Sequence, residues 1–114
     1  MKAAVVVATP KYERQVGRLL TESERASMEG AIASAPEANP VVPGTGGVRK
    51  ARWGRQGRGK SGGVRVIYYY WVSATAVYLL WVYSKSEQSN MTAAERKTVR
   101  KFVEDLKDAS NKDR

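Results

Sequence analysis

The spacing of apolar positions changes several times along this chain, and each change marks an element. Residues 2–8, KAAVVVA, read as a short strand ended by Thr9-Pro10. Tyr12, Val16, Leu19 and Leu20 then recur at helical spacing. Thr9 is placed to cap that helix and Pro10 to occupy its first position, where a missing N–H costs nothing. Thr21-Glu22-Ser23-Glu24 has the form of a capping box. It opens a second helix through Met28 and Ile32, stopped near Pro36. The stretch PEANPVVPGTGG reads as a loop. Three strands are predicted next, over 48–53, 64–72 and 76–83, the first two separated by a Gly/Arg-rich loop. Thr92-Ala93-Ala94-Glu95 is a second capping box, and Val99, Phe102, Val103 and Leu106 form an i, i+3, i+4, i+7 stripe behind it.

The predicted order, β-α-α-β-β-β-α, is an α+β domain with two N-terminal helices, a small, mainly antiparallel sheet and a C-terminal helix. The helices are expected on one face of the sheet. Residues 1–109 form the single domain, with 110–114 a polar tail expected to fray. The apolar run from Val64 to Tyr83 has the length of a membrane span. Arg65 lies inside it, Ser73-Ala74-Thr75 interrupts it, and β-branched and aromatic residues dominate it, so two strands and a turn describe it better. With no secretory signal and no span, a cytoplasmic location and no membrane partner are expected.

Charge sharpens the picture. The 114 residues carry a net charge of +9 and contain neither Cys nor His. Thiolate zinc sites, disulfides and imidazole-based triads are therefore excluded, and neither a metal nor another cofactor is expected. The first 37 residues balance five cations against five carboxylates, and the last 28 carry seven against six. Between them, residues 38–86 hold eight Lys or Arg and no carboxylate. A field of one sign this dense suits a polyanion.

Within that segment Gly54, Gly59, Lys60 and Ser61 match GxxxxGK[ST], the phosphate loop of nucleotide hydrolases. A true phosphate loop leads into a helix and has an acidic magnesium ligand nearby. Here the following VRVIYYYWV is strand-like and no acid occurs between Glu37 and Glu87, so a nucleotide cofactor is not expected. The loop instead offers Arg55, Arg58 and Lys60 on glycine-rich backbone, next to Arg49, Lys50 and Arg52 on the preceding strand. Alternation puts Arg65, Ile67, Tyr69 and Trp71 on one side of the next strand and Val64, Val66, Tyr68 and Tyr70 on the other. Arg65 must then line an open groove or meet a carboxylate such as Glu87. One or two of Tyr68, Tyr69, Tyr83 and Trp53 are candidates for stacking on bases. Lacking His and metal, a nuclease built from these parts would use the RNA 2′-hydroxyl as nucleophile and cations to stabilise the phosphate, with a Lys of depressed pKa as base.

The segments PGTGGVRKARW, GRGKSGGVRVIYYY and YLLWVYSKSEQSNMTAAE, with LLTESER upstream, resemble the HigB-like branch of the RelE/ParE toxin superfamily. The resemblance implies a RelE-like fold and a toxin of a bacterial type II toxin–antitoxin module. It implies messenger RNA cleavage in the A site of the small ribosomal subunit and neutralisation by a cognate antitoxin protein. On this resemblance Arg65 stabilises the scissile phosphate, Lys50 and Arg52 bind RNA and share in proton transfer, and Lys85 is the basic residue after the last strand. Tyr83 and Lys60 belong to the pattern of the branch and complete the catalytic candidates, while Arg49, Arg52, Arg55 and Arg58 are the RNA-binding candidates. Ser86 stands where RelE-type enzymes carry a further arginine, and no tyrosine follows Met91 to stack on the cleaved base. A ParE-like gyrase poison without nuclease activity and a catalytically weak RNA-binding relative are the alternatives.

Overall fold

In the computed structural model, which describes residues 3–54 and 63–112, a four-stranded sheet separates two layers of helix. Strands β1 (Val5–Ala8), β2 (Arg49–Trp53), β3 (Val64–Trp71) and β4 (Ala76–Ser84) lie in the order β1-β4-β3-β2. The β2–β3 and β3–β4 pairs are antiparallel and β1–β4 is parallel, as the mainly antiparallel prediction requires. Helices α1 (Pro10–Leu19) and α2 (Glu22–Ser34) follow β1, and α3 (Ala93–Lys112) follows β4. The element order matches the prediction. Helix α3 continues through Ser110, where the polar tail was expected to begin.

The placement of the helices on a single face is corrected. Tyr12, Val16 and Leu19 of α1 and Met28 and Ile32 of α2 pack with Val64, Val66, Tyr68, Val77, Leu79 and Val82 on one face. Val99 and Val103 of α3 pack with Ile67, Tyr69, Leu80, Trp81 and Tyr83 on the other. The reason is in β3, where six successive residues, Val64 to Tyr69, are buried. A strand apolar on both sides must be covered on both sides. The alternation read for β3 holds, with Val64, Val66 and Tyr68 facing α1 and α2 and Ile67 and Tyr69 facing α3. Strand β4 departs from it. Ile67 pairs with Trp81 and Tyr68 with Leu79, so Leu80 is an extra residue, and Leu80 and Trp81 both lie on the α3 face.

Both capping boxes form as read. Thr21 Oγ1 accepts from Glu24 N at 3.1 Å, and Glu24 Oε1 accepts from Thr21 N at 2.9 Å. Thr92 and Glu95 repeat the exchange at 3.1 and 2.8 Å. Thr9 sits at the N-cap of α1 with Pro10 as first helical residue, but its hydroxyl does not cap. It donates to Leu79 O at 2.7 Å and ties the start of α1 to β4. The apolar run from Val64 to Tyr83 is the β3–β4 hairpin, turned by a single 3₁₀ turn at Val72–Ala74 and by Thr75 at φ 49°.

The loop before β2 folds on itself. Thr45 Oγ1 donates to Val42 O at 2.7 Å and accepts from Val48 N at 3.0 Å. Gly47, at φ 112°, follows in a conformation that side chains avoid, and a Cβ there would meet the Tyr69 ring at 3.4 Å. The result fixes residues 40–44 beside the start of β2, along one edge of the basic face.

Candidate active site

Cross-strand register assembles the site. Arg52 pairs with Arg65, and Arg65 with Tyr83, so these three side chains form one row across β2, β3 and β4. Directly paired residues share a face, and the row lies on the α3 side of the sheet. Lys50 precedes Arg52 by two residues on the same face, paired with Ile67. Lys85 follows Tyr83 by two residues, and its N–H donates to Gly63 O at 3.0 Å, closing the end of the β3–β4 pair.

Two clefts open along the row. One, of about 300 Å³, is lined by Arg52, Trp53, Gly54, Gly63, Arg65 and Lys85. The other, of about 750 Å³, runs from the 40–44 segment past Lys50, Arg52 and Tyr83 to Asn90 and Arg96. Arg52 lines both.

Arg65 is 7% exposed and among the described residues faces no carboxylate. Among the described residues its one acceptor is the carbonyl of Val64, at 3.3 Å. Glu87, the candidate partner, pairs instead with Arg18 at 3.6 Å on the surface. Of the two settings expected for Arg65, the groove is the one realised. A guanidinium held in a low-exposure site without a counter-ion is costly unless a ligand supplies one.

The other groups are tuned by the same surroundings. Burial, then the charges of Arg65 and Arg52, lower the pKa of Lys50, whose Nζ donates to Asn90 Oδ1 at 3.1 Å. Tyr83 is 4% exposed, and burial raises its phenol pKa against the opposing pull of Arg65. Its hydroxyl is buried and has no hydrogen-bond partner among the described residues. Arg65, Arg52 and Lys50 carry only donors, so none of them can accept the proton of the Tyr83 hydroxyl. A phosphate group has the acceptors that are missing.

The structure thus brings together Arg65, Lys50, Arg52, Tyr83 and Lys85. Arg49 is separate: it pairs with Tyr68 on the opposite face and donates to Glu37 O at 3.1 Å and Asn39 O at 2.6 Å. Lys60, Arg55 and Arg58 lie outside the described residues. Tyr68 is buried, donating to Pro36 O at 2.7 Å, and Tyr69 is buried against α3, so of the proposed stacking rings Trp53 and Tyr83 are the two that line a cleft. Ser86 adds no charge; its hydroxyl lies 2.7 Å from that of Ser84. Sequence reading missed Asn90 and Arg96. Asn90 falls in an irregular turn that carries no pattern, and Arg96 becomes part of the cleft only because Thr92 starts α3 where it does. The segment after the GxxxxGK[ST] match is β3 and not a helix, as required for rejecting a nucleotide loop. Among the described residues, no cluster of acidic side chains could hold a metal ion, and no helix is long and apolar enough to cross a membrane.

Residues 22–113 match the family described as the RelE toxin of the RelE/RelB toxin–antitoxin system. The chain belongs to the RelE toxin family. It is accordingly a toxin of a toxin–antitoxin system, and its family implies an antitoxin partner. Among solved structures it is similar to Escherichia coli toxin RelE, as a double arginine-to-alanine mutant in the free state, with a TM-score of 0.55 and 16% identity. That likeness covers 77% of this chain and 90% of the other, and it shows a common RelE fold. The β2–β3–β4 hairpins and α3, which build the whole row, fall within the residues that match the RelE family.

Proposed function

We propose that this RelE-family toxin is an endoribonuclease that cuts messenger RNA in the A site of the ribosomal small subunit, without a metal. We place it in the HigB-like branch, acting in the cytoplasm and restrained there by its antitoxin. The observation that carries the reading is the Arg52–Arg65–Tyr83 row, in which a buried Arg65 stands beside a buried hydroxyl, and neither has a carboxylate or other acceptor side chain among the described residues.

In this mechanism the scissile phosphate rests on Arg65 and Arg52. Lys50, its pKa lowered, takes the proton of the 2′-hydroxyl, whose oxygen attacks phosphorus. Arg65 and the neutral Tyr83 hydroxyl stabilise the added negative charge on the phosphoryl oxygens. The bond from phosphorus to the 5′-oxygen breaks, and the Lys85 ammonium, in the neighbouring cleft, protonates that oxygen. A 2′,3′-cyclic phosphate and a 5′-hydroxyl result. Lys50 and Lys85 lie in different clefts with Arg52 common to both, an arrangement that suits entry and departure on opposite sides of phosphorus. Arg55, Arg58 and Lys60 extend the grip on the strand, and Arg49 contributes to the general field. DNA, which has no 2′-hydroxyl, is inert in this scheme.

The test is induction of wild type and Arg65→Ala in cells, with transcript 5′ ends mapped. Cuts phased to codons in the wild type and absent in the mutant support the reading. Intact transcripts accompanied by relaxed or broken chromosomal DNA would replace it with a gyrase poison.

A further inference from the structure

The connection from β4 to α3 is braced around one exposed side chain. Ser84 O accepts from Glu87 N at 3.0 Å and from Gln88 N at 3.2 Å, which turns the chain at the end of β4. The Gln88 amide nitrogen then donates to Asn90 O at 2.9 Å and to Glu95 Oε1 at 3.0 Å. Glu95 is itself fixed as the acceptor of the Thr92 N–H. Met91 is buried beneath α3, and its carbonyl accepts from Arg96 at 2.8 Å. Gln88 and Arg96 thus hold the backbone at and after Asn90, whose own side chain is left exposed. That side chain makes one hydrogen bond among the described residues. Asn90 Oδ1 accepts from Lys50 Nζ at 3.1 Å, from a residue 40 positions away in the chain.

We propose that Asn90 is the positioning residue of Lys50, holding Nζ at one place in the cleft to receive the proton of the 2′-hydroxyl. A lysine needs such help, because its ammonium turns freely at the end of a flexible four-carbon stem. Nζ has no other hydrogen bond among the described residues, so Asn90 is what restricts it. The amide oxygen suits both forms of the amine. An ammonium and a neutral amine can each donate to it, so one N–H stays engaged after the proton has gone and the lone pair has fewer directions open. The acceptor is also uncharged. The charged and titratable groups around Lys50 are Arg52 of β2, Arg65 of β3, Tyr83 of β4 and Arg96 of α3, with no carboxylate among the described residues that line the cleft. Glu95, the acid in the first turn of α3, is taken up by Gln88 and Thr92. A carboxylate in the place of Asn90 would hold Nζ equally well and keep it protonated. The inference rests on the ribonuclease reading and adds the residue that places its proton acceptor.

The experiment compares wild type, Asn90→Ala and Asn90→Asp in single-turnover cutting of messenger RNA on programmed ribosomes across pH. The lysine side chains of the free proteins are titrated by NMR alongside, with Lys50 assigned from the signal lost in Lys50→Arg. Asn90 is exposed, so both variants are expected to keep the thermal midpoint of the wild type. Asn90→Ala should lower the maximal rate by about ten- to a hundredfold, the cost of a reacting group out of place, with affinity for the programmed ribosome changed by less than about twofold. Asn90→Asp should raise the Lys50 pKa and move the rate profile upward with it, so that cutting at pH 7 falls about tenfold or more and recovers as pH rises. A Lys50 titration and a rate profile both unmoved in Asn90→Asp would overturn the inference. An unchanged maximal rate in Asn90→Ala with weakened binding would also overturn it, because Asn90 would then hold RNA and not Lys50. Absence of cuts by the wild type would remove the ribonuclease reading, and the role of Asn90 with it, whatever the titration shows.

Discussion

Replacing Arg65 by methionine should make the protein more stable and inactive. The side chain is 7% exposed, accepts no carboxylate partner among the described residues, and gives one long hydrogen bond, 3.3 Å, to the carbonyl of Val64. Burying an ion without compensation costs several kcal/mol, and apolar replacement of buried ionic groups commonly stabilises by about 1–4 kcal/mol. Methionine keeps the length and flexibility of the arginine stem, so the packing against Tyr83 and Arg52 changes little. Taking about 1–3 kcal/mol for a site that retains some solvent, and an unfolding entropy near 2.1 cal/mol/K per residue, a 114-residue chain gains roughly 4–12 °C in Tm. The same change should reduce cutting by about 10²–10³-fold, the effect of losing one donor to a transition-state oxyanion. Scanning calorimetry with and without inorganic phosphate is the assay. Phosphate should raise the Tm of the wild type, because an anion bound only by the folded state stabilises it, and should leave Arg65→Met unmoved. A Tm for Arg65→Met that falls by more than a few degrees would refute the argument, since Arg65 would then hold the fold together and not await a ligand.

Two further predictions concern pH. With Lys50 as base, the cutting rate should rise with pH until the lowered pKa of Lys50 is passed and then level off. Lys50→Arg, which stays protonated, should abolish that rise and lower the rate about 10²–10⁴-fold, as read from single-turnover profiles. At the other end of the molecule, the hydrogen bond from Arg25 lowers the pKa of Glu13 below 4.5 and joins α1 to α2. A depressed carboxyl pKa contributes stability that is complete above 4.5 and disappears as pH falls through the lower folded value. Urea midpoints of wild type and Glu13→Gln should therefore differ at pH 7 and converge near pH 2.

Much of this fold was legible because its signals are local. The capping boxes at Thr21 and Thr92 need only four residues each, and the 3.6-residue stripe of α3 is complete within eight. The site was legible as chemistry before it was legible as geometry: Arg65, Lys50 and Arg52 stood out through the absence of acids around them. What sequence could not give was set by contacts between distant residues. The two-sided burial of β3 decides where α3 packs, and the pairing of β2 with β3 sends Arg49 away from Lys50, its immediate neighbour. Thr9 was in position to cap, yet Leu79 O, seventy residues on, is the acceptor its hydroxyl meets. Asn90 carries no periodicity or charge, and only the fold places it against Lys50.

The extra residue in β4 bears on all of this chemistry. Up to Leu79, odd-numbered residues of that strand point toward α1; beyond Trp81, even-numbered ones do, as Val77, Leu79 and Val82 record. One supernumerary position therefore reverses parity midway, and Tyr83 arrives beside Arg65 instead of beneath the helical hairpin. Were the same strand to pair without its bulge, Leu80 would lie opposite Ile67 and Val82 opposite Arg65, and the phenol, with Lys85 behind it, would turn out of the cationic row. The hairpin keeps separate time at its two ends: one beat for the hydrophobic interior, another for the cationic groups that line the clefts.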